Sequence, residues 1–338
     1  MMNKLIQSNA AVQEDSGSVK GSFFKAHRGT VIQYTSFIFV IVLFYILTGG
    51  NIFSIYNIKT LIGQTAPLII ASVGVVFIFA NGSVDIASGA VAGLCAMVSA
   101  LILNATSSIP LALIVSIVIS VIMYLFSTIV SIKFRLVFTI SSLAVMFMAR
   151  GVVTYVCSLM PSTTVGLNNY DIIKNFKTGT ALQIILTTAT VLVCWVLFSF
   201  TKIGKQSRAV GDNPVSAQQS GVKINKNKVL CALIAGICIG IVSIFSLARA
   251  GSVTKSIGSG MEMDIMVALI LGGMSLSGGS KSKFSAAVIG PITFRLMSNG
   301  MTMAGVPTAY VSFIRGIIFL IIVFATLRQN KDIREMPR

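Results

Sequence analysis

Histidine and acidic residues are scarce in this chain of 338 residues. One His and nine Asp or Glu stand against 26 Lys and Arg. The single His27 lies in a polar N-terminal stretch, which excludes a histidine-based zinc site or a His-dependent catalytic triad in the apolar remainder. The five cysteines lie in apolar runs without a C-x-x-C pair, so they predict buried side chains and not a disulfide framework or metal site. We therefore expect no catalytic residue, no metal and no cofactor, and we do not expect an enzyme.

Charge of either sign is too sparse for a soluble protein. Only 10% of the residues are charged, 55% are hydrophobic, and the mean hydropathy is +0.90. A water-facing surface needs far more charge than this. The composition therefore predicts an all-α polytopic membrane protein.

Apolar windows of about 20 residues, the length that crosses a bilayer as a helix, recur along the chain. They predict about ten transmembrane helices, at 31–49, 58–80, 86–104, 109–131, 136–159, 180–201, 229–248, 263–277, 284–300 and 308–327. We expect residues 1–30 to be a disordered cytoplasmic tail, 31–327 to be the transmembrane domain, and 328–338 to be a cytoplasmic C-terminal tail.

The positive charge is distributed unevenly between the two sides of this topology. With both termini inside, 18 basic residues fall on the inner side and five on the outer side. Cytoplasmic loops of membrane proteins carry an excess of Lys and Arg. The net charge of +17 therefore indicates orientation in the membrane, and no nucleic-acid partner is expected.

The longest polar interruption in the second half runs from Lys202 to Lys228 and carries six basic residues. Asp212 and Asn213 are suitable helix caps, and Pro214 suits the first helical position. Gly221 can adopt the left-handed conformation that ends a helix. The pattern predicts a short helix within a cytoplasmic loop. By itself it is also compatible with an ordinary loop whose charge serves orientation alone.

Two acidic motifs lie close to the membrane. Asp85 stands in NGSVDIASG, which begins at Asn81, and Glu262 and Asp264 stand in GSGMEMDIMVA. Each acid follows a Gly/Ser-rich break, where it can cap the next helix and interact with its dipole. Alternatively, the break is unwound backbone that lines a solute path. The helices after Asp85 and Asp264 run in opposite directions in the predicted topology, as expected for inverted repeats and broken helices.

Three arginines, Arg150, Arg295 and Arg315, fall within predicted spans. An arginine at the centre of a membrane helix costs about 2.5–3.5 kcal/mol on insertion scales. Each is therefore expected to face the bundle interior or to extend toward an interface, and the second behaviour is expected for Arg295.

Four segments, in the correct order, resemble the permease subunits of bacterial ABC sugar importers of the ribose, galactose and autoinducer-2 type. The segments are NGSVDIASG at 81–89; 142–151, ending in Arg-Gly; 204–213 with Ala217, Gly221 and Val222; and GMEMD at 260–264 with ALILGGMSLSGG at 268–279, Asn299-Gly300 and Gly305-Val306. Departures from the family pattern include Ser83 for a glycine, Pro214 where the sugar branch commonly has Glu, and an additional Ser280.

The resemblance implies a permease of the bacterial plasma (inner) membrane that dimerises with a second copy or a paralogue. It also implies that the permease receives solute from an extracytoplasmic binding protein and docks a separate ABC ATPase on its cytoplasmic loop. The residues that match the ATPase-coupling region are Gly204, Arg208, Gly211, Asn213, Ala217 and Gly221. The residues that match the motifs near the translocation path are Asn81, Asp85, Glu262 and Asp264. Which sugar is carried stays open.

Two other classes of protein remain as alternatives. One is a secondary transporter driven by protons or sodium, with Asp85 or Asp264 as the coupling carboxylate. The other is a structural or export-complex subunit without its own solute path. A secondary carrier gives no reason for the capped helix and the ordered Gly/Arg pattern at 204–221.

Overall fold

The computed structural model describes residues 34, 37–275, 277–307, 309–317 and 320. The described residues form an α-helical bundle. The helices are α1 (Phe37–Leu47), α2 (Ile55–Ala80), α3 (Ser88–Thr106), α4 (Ile109–Lys133), α5 (Phe138–Leu159), α6 (Lys174–Thr178), α7 (Thr180–Ser199), α8 (Lys202–Asp212), α9 (Pro214–Gln219), α10 (Ile224–Ala250), α11 (Met261–Leu271), α12 (Ala286–Met303) and α13 (309–317). Short 3-10 helices occupy Asn51–Phe53 and Tyr170–Ile172, and β1 (Val165–Gly166) pairs antiparallel with β2 (Ser252–Val253).

Six of the described helices are long and apolar enough to cross a membrane: α2, α3, α4, α5, α7 and α10. They coincide with six of the predicted windows and confirm the all-α membrane fold. The windows 263–277 and 284–300 instead contain the 11-residue α11 and the more polar α12. The first and last windows, 31–49 and 308–327, lie partly outside the described residues. The predicted count of about ten spans is therefore not confirmed.

Helices α2 and α10 form the antiparallel centre of the bundle. Arg249, near the end of α10, donates to the carbonyl of Gly63 near the start of α2 at 3.2 Å. Helix α2 has 26 residues and is therefore about 39 Å long, so its two ends lie far apart. At the far end of α2, Asn81 donates to the Cys231 sulfur at 3.2 Å. These contacts define two ends of the bundle: the Arg249 end and the Asn81 end.

Glycines allow several helices to approach closely. A Cβ atom at Gly74 of α2 would lie 2.5 Å from the Cβ of Cys238 on α10. Gly236 and Gly240 of α10 likewise pack against the backbone of α4. Two pairs of small residues four positions apart, Gly236 with Gly240 and Gly89 with Gly93, therefore lie at close packing contacts.

Two non-helical segments interrupt the spans, as the sequence predicts. Residues 81–87 connect α2 to α3, and residues 251–260 connect α10 to α11. The segments meet, because Gly89 at the start of α3 packs against the Gly258 carbonyl and the Glu262 carboxylate. From this point α3 runs toward the Arg249 end and α11 runs toward the Asn81 end. These opposite directions agree with the inverted-repeat hypothesis.

Candidate functional site

The polar interruption after α7 folds into two helices, α8 and α9. Asn213 caps α9, since its Oδ1 accepts hydrogen bonds from the amides of Val215 at 3.0 Å and Ser216 at 3.2 Å. Pro214 occupies the first turn, and Gly221 has the predicted left-handed conformation, with φ +82°. The predicted short helix is therefore present. The helix α8 was not predicted, although Thr201 caps it and its buried positions recur at helical spacing.

The α8–α9 segment is attached to the bundle through side-chain hydrogen bonds between α8 and α10, such as Ser207 to Asn227 at 3.2 Å, and through close backbone contacts. Gly211 packs directly on the Ala80 carbonyl at the end of α2 and on the backbone of Gly279. The amide of Gly279 donates to the same Ala80 carbonyl at 3.0 Å, and Ser280 donates to Asp212 at 3.1 Å. A side chain larger than hydrogen does not fit at Gly211. The segment is thus in contact with the end of one spanning helix and with the turn before α12.

Two of the other predicted coupling residues are engaged within the chain. The Nε atom of Arg208 donates to the Gly204 carbonyl at 3.3 Å, and its guanidinium lies 5.3 Å from the Phe198 ring centre. Gly204 itself packs on the Phe198 backbone carbonyl. Ala217 is buried, whereas Val215 on the same helix is 65% exposed. The sequence analysis did not single out Val215, because an apolar residue beside helix caps does not by itself indicate whether it is exposed.

Asp85 is enclosed and both of its oxygens are occupied. It accepts from the Ala87 amide at 2.9 Å and from the Tyr124 hydroxyl at 2.6 Å, and only 2% of it is exposed. Asp85 therefore closes the turn before α3 and does not cap that helix, whose N-cap Ala87 has no side-chain cap hydrogen bond. Asn81 is also buried, and its Oδ1 has no hydrogen-bond partner among the described residues.

Glu262 lies at the meeting point of the two interrupted segments. Its Oε1 pairs with Arg150 of α5 at 2.9 Å. Its Oε2 faces Gly89, is buried, and lacks a partner among the described residues. Thus Arg150 faces the bundle interior, one of the two positions predicted for it.

Asp264 pairs with two arginines. Its Oδ2 lies 3.2 Å from Arg295 of α12, and its Oδ1 lies 3.6 Å from Arg315 of α13. Both guanidiniums also lie near the Phe294 ring, at 5.5 and 5.0 Å from its centre. The expectation that Arg295 extends toward a membrane interface is therefore wrong, because its guanidinium pairs with the Asp264 carboxylate inside the bundle.

A cavity of about 400 Å³ opens beside this ion-pair cluster. Asp264 is the one predicted path residue that lines it, and it does so with Arg249 and Arg295. The other lining residues come from α2, the end of α10, the 251–260 segment and the start of α11: Gln64, Pro67, Leu68, Ser246, Ala250, Ile257, Gly258, Ser259 and Met261. Asn81, Asp85 and Glu262 do not line it. Arg249 was missed, since the sequence placed it in an outer loop.

A family model described as branched-chain amino acid transport system / permease component matches residues 57–323. The chain belongs to this permease family. The match includes both interrupted segments, the α8–α9 segment and the charged cavity, and it confirms the resemblance stated from the sequence. Family membership and the apolar helices identify a multi-pass membrane protein.

The permease is similar to several import permeases over most of its length. It is 25% identical to the ribose import permease protein of Escherichia coli over 310 residues, which is 90% of this chain and 95% of that relative. It is 26% identical to the ribose import permease protein of Bacillus subtilis, over 87% of this chain and 91% of that relative. It is 25% identical to the galactose/methyl galactoside import permease protein of Salmonella typhimurium, over 80% and 86%. No solved structure matches the permease.

Proposed function

We propose that this permease is the membrane-spanning subunit of an ATP-driven ABC importer that carries a sugar or a similar small polyhydroxylated solute. The observation that carries the proposal is its similarity to ribose import permeases along nearly the full length of both chains. The permease itself performs no hydrolysis, and ATP is hydrolysed by a separate ATPase subunit. A second permease copy or a paralogue completes the membrane part.

The distribution of positive charge supports an orientation for the bundle. The basic α8–α9 segment and the Asn81 end face the cytoplasm, and the Arg249 end with its cavity faces outward. An extracytoplasmic binding protein then delivers solute to the end at which the cavity opens. The cavity is lined by Asp264, and Glu262 lies at the base of the same interrupted segment. Asn81 and Asp85 contribute by stabilising the conformation of the non-helical segment 81–87 after α2.

The α8–α9 segment supplies the surface for the ATPase. Closure of the ATPase subunits displaces α9, and the contact of Gly211 with Ala80 transmits this displacement to α2. The hydrogen bond from Ser280 to Asp212 transmits it to the turn before α12. In this mechanism Asn213 and Gly221 define the ends of α9, Gly204 and Arg208 fix α8 against α7, and Ala217 packs α9 on the bundle.

An ion-coupled secondary transporter is not favoured. The relatives are import permeases, one of them named an ABC transporter permease. A coupling carboxylate must also gain and lose its ion during transport. Both oxygens of Asp85 accept hydrogen bonds, and both oxygens of Asp264 face arginines. Neither acid is free for that role in this conformation.

The decisive experiment is co-purification of the tagged permease from its native host in mild detergent, followed by an ATPase assay of the eluate. We expect an ATPase to accompany the permease and to be lost in Val215→Asp, because the change places a charge on the proposed docking surface at a residue that is 65% exposed. Asn225→Asp is the matched control, since it adds the same charge at an exposed position near the start of α10.

A permease that elutes without an ATPase, and that accumulates solute in proteoliposomes on an ion gradient alone, would overturn the proposal. Equal ATPase recovery in Val215→Asp and in the parent protein would remove the assignment of α9 as the docking surface.

A further inference from the structure

We propose that the cavity beside Asp264 accepts an anionic polyhydroxylated solute, one that carries a carboxylate or phosphate group in addition to its hydroxyls. This inference rests on the proposed importer function and narrows its substrate class. The volume of about 400 Å³ lies within the usual range for small-molecule pockets, roughly 300–1,000 Å³. The cavity is therefore large enough for a single small solute.

Positive charge exceeds negative charge around this cavity. Arg249 and Arg295 line it, and Asp264 is the acid that lines it. Arg315 lies behind the wall and pairs with the second oxygen of the same carboxylate. The Asp264 carboxylate thus forms ion pairs with two guanidiniums. The hydrogen bond described for Arg249 is to the neutral carbonyl of Gly63, which carries no compensating charge. Among the residues that the structure describes, three positive charges and one negative charge give the site a net positive charge.

Glu262 does not restore neutrality. Its carboxylate is already paired with Arg150 at 2.9 Å, and it is not part of the cavity wall. The acid and the base in that pair cancel each other. The excess of charge at Arg249, Arg295 and Arg315 therefore remains after the nearest ion pair is included.

The arginines also have unused hydrogen-bond donors. The Nε atoms of Arg295 and Arg315 are buried without partners among the described residues. A guanidinium has five N–H donors in a planar fork, which matches the oxygens of carboxylate and phosphate groups. The buried Nε atoms have no access to the cavity, so an anionic oxygen there would bond to terminal N–H groups of Arg249 and Arg295 that Asp264 leaves free, and it would lower the repulsion between the arginines.

Other residues of the cavity wall can form hydrogen bonds with hydroxyl groups. Gln64, Ser246 and Ser259 supply neutral polar side chains, and the Gly258 backbone lies alongside. Neutral groups of this kind hydrogen-bond to hydroxyls and do not require a counter-charge. The wall therefore supplies cationic groups for an acid group and neutral polar groups for hydroxyls, next to apolar residues such as Leu68 and Ile257.

The test is equilibrium dialysis of three radiolabelled solutes against the full-length permease in lipid nanodiscs. D-Gluconate provides a carboxylate, D-ribose 5-phosphate provides a phosphate, and D-ribose is neutral. We expect at least one anion to bind about tenfold or more tightly than D-ribose, since a hydrogen bond to a charged group stabilises a complex more than a neutral one. The comparison of the two anions identifies which acid group the cavity prefers.

Variants assign the preference to the cavity. Arg249→Gln and Arg295→Gln should each weaken anion binding about tenfold with D-ribose unchanged, and Asp264→Asn should strengthen it. Lys255→Gln is the control, because it removes a positive charge from the same 251–260 segment at an exposed position that does not line the cavity. If Arg295→Gln does not fold, as judged by size-exclusion chromatography, Arg249→Gln carries the test.

The inference is overturned if D-ribose binds as tightly as both anions, if none of the solutes binds, or if Lys255→Gln weakens anion binding as much as Arg249→Gln does. Its failure can be separated from failure of the importer function. A permease that still co-purifies with an ATPase but shows no preference for anions refutes the anionic substrate class alone.

Discussion

Replacement of Gly89 by alanine should destabilise the permease, although the same change usually stabilises a helix. In a helix interior, alanine is favoured over glycine by about 1 kcal/mol, which is an upper limit for Gly89 because it lies in the first turn of α3. The new methyl group would, however, overlap the Gly258 carbonyl and the Glu262 carboxylate. Overpacking of this kind costs about 1–3 kcal/mol. Because the Gly258 side of the contact is backbone, it cannot turn aside as a flexible side chain would.

The ion pair adds a second cost. Displacement of Glu262 would separate its Oε1 from Arg150, which lies at 2.9 Å. Loss of one partner in a buried pair costs about 3–5 kcal/mol, and less for Arg150 and Glu262, whose side chains retain 25% and 10% exposure. The two costs together exceed the helix-propensity gain of about 1 kcal/mol, so the net effect is destabilising.

Thermal unfolding in mild detergent with a thiol-reactive fluorophore measures this effect, because all five cysteines are free and buried. Gly151→Ala in α5 is the matched control, since its new methyl group meets no atom within 4 Å. We expect a lower unfolding midpoint for Gly89→Ala and an unchanged or higher midpoint for Gly151→Ala. If the unfolding midpoint of Gly89→Ala, like that of Gly151→Ala, were equal to or higher than that of the parent protein, the close contact between α3 and the 251–260 segment would be refuted.

Three other changes test individual contacts. Tyr124→Phe should lower stability by roughly 1–3 kcal/mol, because it leaves a buried oxygen of Asp85 without its donor; the same thermal assay measures it. Asn213→Ala should remove a cap that contributes about 0.5–2 kcal/mol, and faster amide hydrogen exchange at Val215 would report it. Gly221→Ala should cost about 1–2 kcal/mol, because its φ of +82° is strained for any residue with a Cβ atom, and it should increase exchange at the end of α9.

Each of these three has a distinct contrary result. An unfolding midpoint of Tyr124→Phe equal to that of the parent would mean that the hydroxyl does not stabilise Asp85. Asn213→Asp keeps a capping oxygen and is the control for Asn213→Ala, so equal exchange rates in the two variants would contradict the cap. Unchanged exchange in Gly221→Ala, with Gly151→Ala as the unstrained control, would contradict the left-handed conformation.

The long helices could be predicted from the sequence because length and hydropathy alone define them. The windows 58–80, 109–131 and 229–248 match α2, α4 and α10 to within a few residues. The same criterion fails for α8, a polar helix whose buried positions are Gly204, Ser207 and Val210. It also fails for the 251–260 segment, since hydropathy carries no information on whether a polar segment stays outside or returns into the bundle.

The candidate site could be predicted only in part. The capping motif at Asn213 and Gly221 is local, so its geometry follows from residues a few positions apart. The partners of Asp264 are Arg295 and Arg315, which lie 31 and more positions away. Tertiary packing decides such a pairing. Arg249 illustrates the same limit, because a count of charges at helix ends places it outside without revealing the cavity next to it.

The contact of Gly211 with Ala80 has a mechanical consequence. Between most packed elements, side-chain rotamers can adjust and absorb small shifts, so a displacement fades with distance. Here one main chain rests on another without an intervening side chain. When α8 is displaced toward α2, this joint, the backbone contact between Gly211 and Ala80, has no side chain that could change rotamer and absorb the movement. The end of α2 must either follow by a similar amount or lose contact altogether, so this joint responds as a rigid linkage and not as a spring.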